Sequence, residues 1–305
     1  MISIESINNN INKVEKEYPD LHIDSIFVQQ NGTVDKIFYH NECLHELRSC
    51  SKILVSMAVG IAIDKGMFSL DTTIYQSIKN VVHIKNEENL RKIKEWTVKN
   101  LLMHTTWYEK QMMNEKCIQN IDKNNLLDYA LNYGIPYEVW TRFAYNNLEP
   151  FILSVFFQES FNKSLLDFIK ENIFDKIDII NFRWNNYGKY CPASTGLYLK
   201  HSDFHKIGDL ILNGGKYGDY QIIPQKWIDE MCSSKLKTPS LYKSERVLPK
   251  IATGYYIFIS RDGFVFRDGS NGQYIIVNKN KNLLITIMAT EKKIEYVTEI
   301  LRDLI

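Results

Sequence analysis

Ile4, Ile7, Ile11, Val14 and Tyr18 recur at alternating three- and four-residue steps, the spacing of an amphipathic helix, and Pro19 stops it. The period then changes. Ile23 to Gln30 and Val34 to His40 are strand-like runs on either side of Asn31-Gly32, the dipeptide that favours a tight hairpin turn. The far end mirrors the start. Gly254 to Ser260, Phe264 to Arg267, Gln273 to Asn278 and Leu283 to Ala289 read as strands. They are separated by Asp262-Gly263, by Gly269 to Gly272 and by a Lys/Asn turn, and a last helix carries Ile294, Val297, Leu301 and Leu304. Between the two strand-rich ends, from about Ser49 to Cys232, helical spacing dominates. It predicts helices over Cys50 to Lys65, Thr97 to His104, Leu126 to Asn132, Leu148 to Glu159, Leu165 to Ile173 and Ser202 to Leu212.

Strands at both ends with helices between predict an α+β fold. Both termini build one antiparallel sheet, the terminal helices cover it, and an all-helical lobe is inserted. The expected division is a sheet lobe of residues 1–48 plus 233–305 and a helical lobe of 49–232, within one unit spanning 1–305. Ligand sites favour such junctions.

Composition narrows the function classes. The 305 residues are 45% hydrophobic and 24% charged, ordinary for a globular chain, and the net charge of +1 gives no field to recruit nucleic acid or an anionic membrane. Met1 to Ser6 lack the basic segment, apolar run and cleavage site of a secretory signal, and the apolar run Ile53 to Ile63 is too short to cross a bilayer. Five cysteines (Cys43, Cys50, Cys117, Cys191, Cys232) form no CxxC pair, so a reducing cytoplasm is the expected location.

The candidate chemistry starts at Ser49. Behind it, Ile53 to Ile63 is apolar around nearly the whole helix circumference, which predicts burial. Lys52 stands at the mouth of that run, three residues from Ser49 and therefore on the same helical face. A serine hydroxyl becomes a nucleophile when a neighbouring base takes its proton, and a lysine shifted down by burial and by the helix dipole can be that base. The same terminus offers Ser49's own N–H to a developing oxyanion. Ser-x-x-Lys also occurs at Ser160/Lys163, Ser234/Lys237 and Ser240/Lys243, and only the apolar helix sets Ser49 apart. A partly buried, paired lysine with no catalytic duty is the alternative.

The run Ser49-Cys50-Ser51-Lys52, followed by Val59 to Gly66 and Ser69-Leu70-Asp71, resembles the first active-site motif of class C β-lactamase-like and penicillin-binding-protein-like serine hydrolases. Further segments resemble that family in order: Thr97 to Thr106, Phe143 to Asn147 with a Tyr-x-Asn motif, Ser194 to Tyr198 with Ser202-Asp203 and Leu210 to Gly215, and Arg267 to Tyr274 at the third motif. The resemblance covers nearly everything from Ile23 onward and implies a β-lactamase/transpeptidase-like fold working through an acyl-enzyme without a cofactor or metal. It implies Tyr145 as general base, its phenolate stabilised by Lys52, and Asn147 as a hydrogen-bond partner of Lys52 or of the substrate. The N–H groups of Ser49 and Ser270, after Gly269, would form the oxyanion hole. Tyr39/Asn41 repeats the Tyr-x-Asn pattern ahead of the nucleophile, where it reads as strand-end sequence.

The chain departs from the family at three places. Arg267-Asp268 replaces the usual Lys or His and its small follower, and arginine can anchor a carboxylate but cannot shuttle protons. Trp107 follows Thr106 where glycine is common, and Trp140-Thr141-Arg142 stands where a Pro-Gly turn is common; either tryptophan would line the cleft or pack the lobe. His201 and His205 have the i, i+4 spacing of a metal pair but lack a third ligand nearby, and read as helix-surface histidines; Cys50 reads as packing. The expected function is hydrolysis of a small-molecule ester, amide or lactam. The alternatives are a D-amino-acid-specific peptidase or amidase, and a non-catalytic binding or sensing module of the same fold. Oligomeric state is left open.

Overall fold

The computed structural model describes residues 2–106, 112–135, 142–239 and 246–305. Helix α1 (Ile4–Glu17) is capped by the Ser3 side chain, which accepts from the Ser6 amide. Strands β1 (Ile23–Gln30) and β2 (Thr33–Phe38) form the hairpin about Asn31-Gly32, both of which take the positive φ that a two-residue hairpin turn requires.

The remaining strands of the main sheet come from the end of the chain: β3 (Leu236–Lys237), β4 (Ala252–Thr253), β5 (Phe258–Ile259), β6 (Val265–Asp268), β7 (Tyr274–Asn278) and β8 (Leu283–Ala289). Their order across the sheet is β2-β1-β8-β7-β6-β5-β4-β3, antiparallel throughout, with β1 lying directly on β8 from Ile23↔Ala289 to Gln30↔Leu283. The two ends of the chain therefore share one sheet. The expected single strand Gly254 to Ser260 is instead a tight turn followed by β5. Tyr256 sits at φ 61 and the Gly254 N–H donates to the Ile257 carbonyl, which folds the segment back so that β4 and β5 pair. A run of β-prone residues hides that reversal, because Tyr256 is not a turn residue by type.

Every residue of β7 and β8 is buried. Alternation splits their side chains between two apolar layers. Ile276, Ile285 and Ile287 pack with Ile7 and Ile11 of α1 and with Val297 and Leu301 of the C-terminal segment, whose helix is α8 (Ile294–Glu299). Ile275, Val277 and Leu284 join the larger core on the opposite side, where α6 (His201–Leu212) covers the sheet. That core continues around α2 (Lys52–Asp64), buried from Lys52 to Ala62, against α4 (Leu148–Phe161), α5 (Leu165–Asn172) and α7 (Gln225–Met231). The short α3 (Val98–Leu102) is fixed by a capping box between Thr97 and Asn100. No helix among the described residues is long and apolar enough to cross a membrane.

His201 and His205 are not at the surface of their helix. Both are buried between α6 and the sheet, where polar groups on the strands accommodate them, a fact i, i+4 spacing cannot reveal. His201 bonds Ser25 Oγ (2.5 Å) and Thr286 Oγ1 (2.8 Å); His205 bonds Thr286 Oγ1 (2.8 Å) and Gln29 Oε1 (2.9 Å). The Gln29 amide donates onward to Asp209 (2.6 Å). One consistent direction of donation runs from the Ser25 hydroxyl to Asp209, and it holds only with both imidazoles neutral. No group of three or more potential metal ligands exists among the described residues.

Candidate active site

Ser49 lies in a 3-10 turn (Arg48–Ser51) that runs straight into α2. Two features hold that turn against the sheet. The Cys50 thiol lies 3.5 Å from the carbonyl oxygens of Arg267 and Gln273, with burial pushing its pKa up. Gly269, just past β6, comes so close that an added Cβ would meet Leu47 O at 2.9 Å and Arg48 Cβ at 3.1 Å. Only glycine permits that approach. Arg48 itself takes a left-handed φ of 49, a costly conformation for a non-glycine residue, and its side chain is tied to Glu46 (3.0 Å) and Glu115 (2.5 Å). That strained residue immediately precedes the candidate nucleophile.

One turn into the helix, Lys52 is fully buried and its amine reaches three oxygens at once: Ser49 Oγ at 3.2 Å, Tyr145 OH at 2.9 Å and Asn147 Oδ1 at 2.6 Å. Tyr145 and Asn147 come from the segment before α4. Its position is set by Ala144 N–H donating to the His104 carbonyl (2.9 Å) and by Asn146, whose Oδ1 accepts from the amides of Met112, Asn147 and Leu148. The Tyr145 hydroxyl donates to Ser49 Oγ (2.7 Å) and accepts from Arg267 Nη2 (2.7 Å), while Arg267 Nε donates to the Ser49 carbonyl (3.0 Å). Four groups from three parts of the chain thus meet around one hydroxyl.

Burial, and after it the Arg267 guanidinium, push the Lys52 amine well below the usual lysine range. Its neutral form, able to accept a proton, becomes accessible. Burial raises the Tyr145 phenol, with Arg267 and the bond to Ser49 pulling partly back. Burial thus works toward the neutral phenol, and a fixed cation, Arg267, is bonded to its oxygen.

Arg267, 1% exposed, has its guanidinium committed to Ser49 and Tyr145. Asp268 does not compete for it, because Lys250 bridges that carboxylate at 2.6 Å. Ser270 is exposed near the start of the β6–β7 connection, and neither its amide nor that of Ser49 donates to a backbone carbonyl among the described residues. Trp107, Trp140 and Thr141 lie outside the described residues, as do Ser240 and Lys243. Ser160 bonds Ser77 (2.7 Å) and Lys163 pairs with Glu171, which leaves that Ser-x-x-Lys repeat without a shared site.

Sequence reasoning passed over Glu149. It is completely buried in the first turn of α4, bonded to His104 and Thr106. The signal available was a lone acid heading the apolar run Pro150-Phe151-Ile152-Leu153.

A family model described as Beta-lactamase matches residues 33–302. Among curated protein sequences none matches. Solved structures similar to this one include a β-lactamase/D-alanine carboxypeptidase from Pseudomonas syringae, with a TM-score of 0.73, 16% identity and 98% of either chain covered. The octameric penicillin-binding protein homologue from Pyrococcus abyssi has a TM-score of 0.75 at 14% identity, covering 99% of this chain and 77% of that one. EstCE1, described as a hydrolase with promiscuous acyltransferase activity, has a TM-score of 0.74 at 12% identity, with 98% of both chains covered. At these identities the likeness is one of fold, and it is the α+β, transpeptidase-like fold expected from the sequence.

Proposed function

We propose, from the premise that the chain belongs to the β-lactamase family, that it is a serine hydrolase acting through a Ser49 acyl-enzyme on a small ester, amide or lactam. The observation that carries this is the buried Lys52 amine held simultaneously against Ser49 Oγ, Tyr145 OH and Asn147 Oδ1.

The neutral Lys52 amine takes the Ser49 proton as Oγ attacks the substrate carbonyl. It still donates to Tyr145 and Asn147, so losing its charge orphans neither neighbour. The carbonyl π pair moves onto oxygen, and the amide N–H groups of Ser49 and Ser270 receive that oxyanion; one such donor typically contributes about 2.7–4 kcal/mol to the transition state. Collapse re-forms the carbonyl and expels the leaving group, which takes its proton from Lys52 through the Tyr145 hydroxyl. Water then repeats the sequence on the ester and releases the acid. Arg267 holds Tyr145 and the Ser49 carbonyl in place, and its fixed charge, beside burial, keeps the Lys52 amine well below the usual lysine range. Because that guanidinium is engaged within the site, an uncharged acyl substrate fits better than one anchored by a carboxylate. A soluble cytoplasmic enzyme with no cofactor remains our expectation.

The test is intact mass after exposure to a fluorophosphonate, for the native chain and for Ser49→Ala. A single adduct in the first and none in the second is expected, whereas labelling that survives in the alanine variant would refute the nucleophile. Turnover of nitrophenyl esters compared with nitrocefin then separates esterase from lactamase. A folded native chain inert to every acylating probe would favour a binding module.

A further inference from the structure

Behind the Ser49 centre lies a second buried polar cluster that the acyl-transfer steps leave unused. Glu149 is 0% exposed and His104 1%. The carboxylate is bonded on both oxygens, Oε2 to His104 Nδ1 at 3.1 Å and Oε1 to the Thr106 hydroxyl at 2.7 Å. His104 Nε2 is buried with no hydrogen-bond partner among the described residues, which places the imidazole proton on Nδ1, against the carboxylate. Burial lowers the His104 pKa, so the ring is neutral, and the Glu149 carboxylate has no cation in contact among the described residues. An uncompensated buried carboxylate is expensive. The first turn of α4 offsets part of that cost through the helix dipole.

The cluster touches the catalytic centre. The His104 ring packs 5.0 Å from that of Tyr145, and its backbone carbonyl receives the amide of Ala144 (2.9 Å). The charged and titratable groups acting on Lys52 include Arg267 on β6, Glu149 on α4, Cys50 on its own turn, and Asp268 with its partner Lys250. Tyr145 bonds it directly. Asp268 is already bridged by Lys250, and Glu149 is the negative group that acts most strongly on Lys52.

We propose that Glu149, acting with His104, is a positioning residue that fixes the Tyr145 segment and supplies the balancing negative charge of the Lys52–Arg267 centre. This rests on the serine-hydrolase function proposed above. Removing the charge makes protonated Lys52 less favourable, so the neutral amine persists to lower pH. Glu149→Gln is therefore expected to move the acid limb of the acylation rate, read with a fluorophosphonate, down by roughly one pH unit. Glu149→Asp, which keeps the charge, should leave the limb in place while slowing acylation through imperfect reach.

Should Glu149→Gln fail to fold, Thr106→Val decides. That substitution removes the hydroxyl that holds the carboxylate in place (2.7 Å), and the limb should move in the same direction by a smaller amount. An unmoved limb in a folded Glu149→Gln variant, or in Thr106→Val where the former does not fold, overturns the proposal while Ser49 remains labelled. Absence of labelling in the native chain would instead overturn the nucleophile.

Discussion

Replacing Arg267 by lysine separates charge from geometry at the centre of the site. The guanidinium spans two acceptors, donating from Nε to the Ser49 carbonyl at 3.0 Å and from Nη2 to the Tyr145 hydroxyl at 2.7 Å. A lysine in the same buried slot keeps the positive charge but presents one nitrogen, which can satisfy one acceptor and not the other. A hydrogen bond to a charged group is worth about 1.5–3 kcal/mol, so losing one should slow Ser49 acylation by roughly 10- to 150-fold. The measurement is the second-order rate constant for fluorophosphonate labelling, with the melting temperature followed in parallel to show that the variant is folded. Pairing Arg267→Lys with Tyr145→Phe identifies the bond responsible. If the loss runs through the Arg267–Tyr145 contact, the double variant should be little slower than Tyr145→Phe alone. A folded Arg267→Lys protein that acylates within about twofold of the native rate, on a scale where 1.36 kcal/mol is tenfold, would refute the spanning role. Fully multiplicative losses in the double variant would place its contribution elsewhere.

Two further outcomes follow from the packing. At Gly60, in the buried face of α2, an added Cβ would fall inside the envelope of the Trp227 ring, so Gly60→Ala should destabilise by about 1–3 kcal/mol despite the better helix propensity of alanine; a variant as stable as the native chain in urea would contradict the contact. Between α6 and the sheet, burial lowers the His205 pKa to about 4 and holds His201 well below its ordinary value. A depressed histidine leaves the unfolded chain binding more protons, so the contribution is fully present above about pH 6.5 and is lost as pH falls toward 4. For His205 the full loss is about 3 kcal/mol. Urea titrations at pH 7.5 and 5 should show that decline, and His205→Gln should make it shallower; an unchanged pH slope in the variant would rule the imidazole out.

What could be read ahead of the structure follows a physical division. Ser49 and Lys52 were recognisable because their proximity is local, one helical turn of sequence, and because the apolar run after them announces burial. Tyr145 and Asn147 were reachable only through a resemblance in motif order, since nothing local joins them to a residue almost a hundred positions earlier. Arg267 was visible as a departure from a pattern, yet its task was not, because a fixed charge reads as a substrate anchor until its two acceptors are seen. Glu149 was missed because a single acid in an apolar helix carries no partner in its own segment. The histidines of α6 were misplaced to the surface for the same reason: Ser25, Gln29 and Thr286, which make them tolerable inside, stand on β1 and β8.

The sequence by itself determined the elements, because periodicity, caps and turn residues act over a few positions, and it determined that the two ends of the chain are strands awaiting a common sheet. Only the tertiary structure decided the protonation balance of the site. Burial and neighbouring charge at Lys52, Tyr145, Arg267 and Glu149 are properties of the space between β6, α2 and α4, and a proton's affinity for an amine is set by everything within a few ångströms, whatever its distance along the chain.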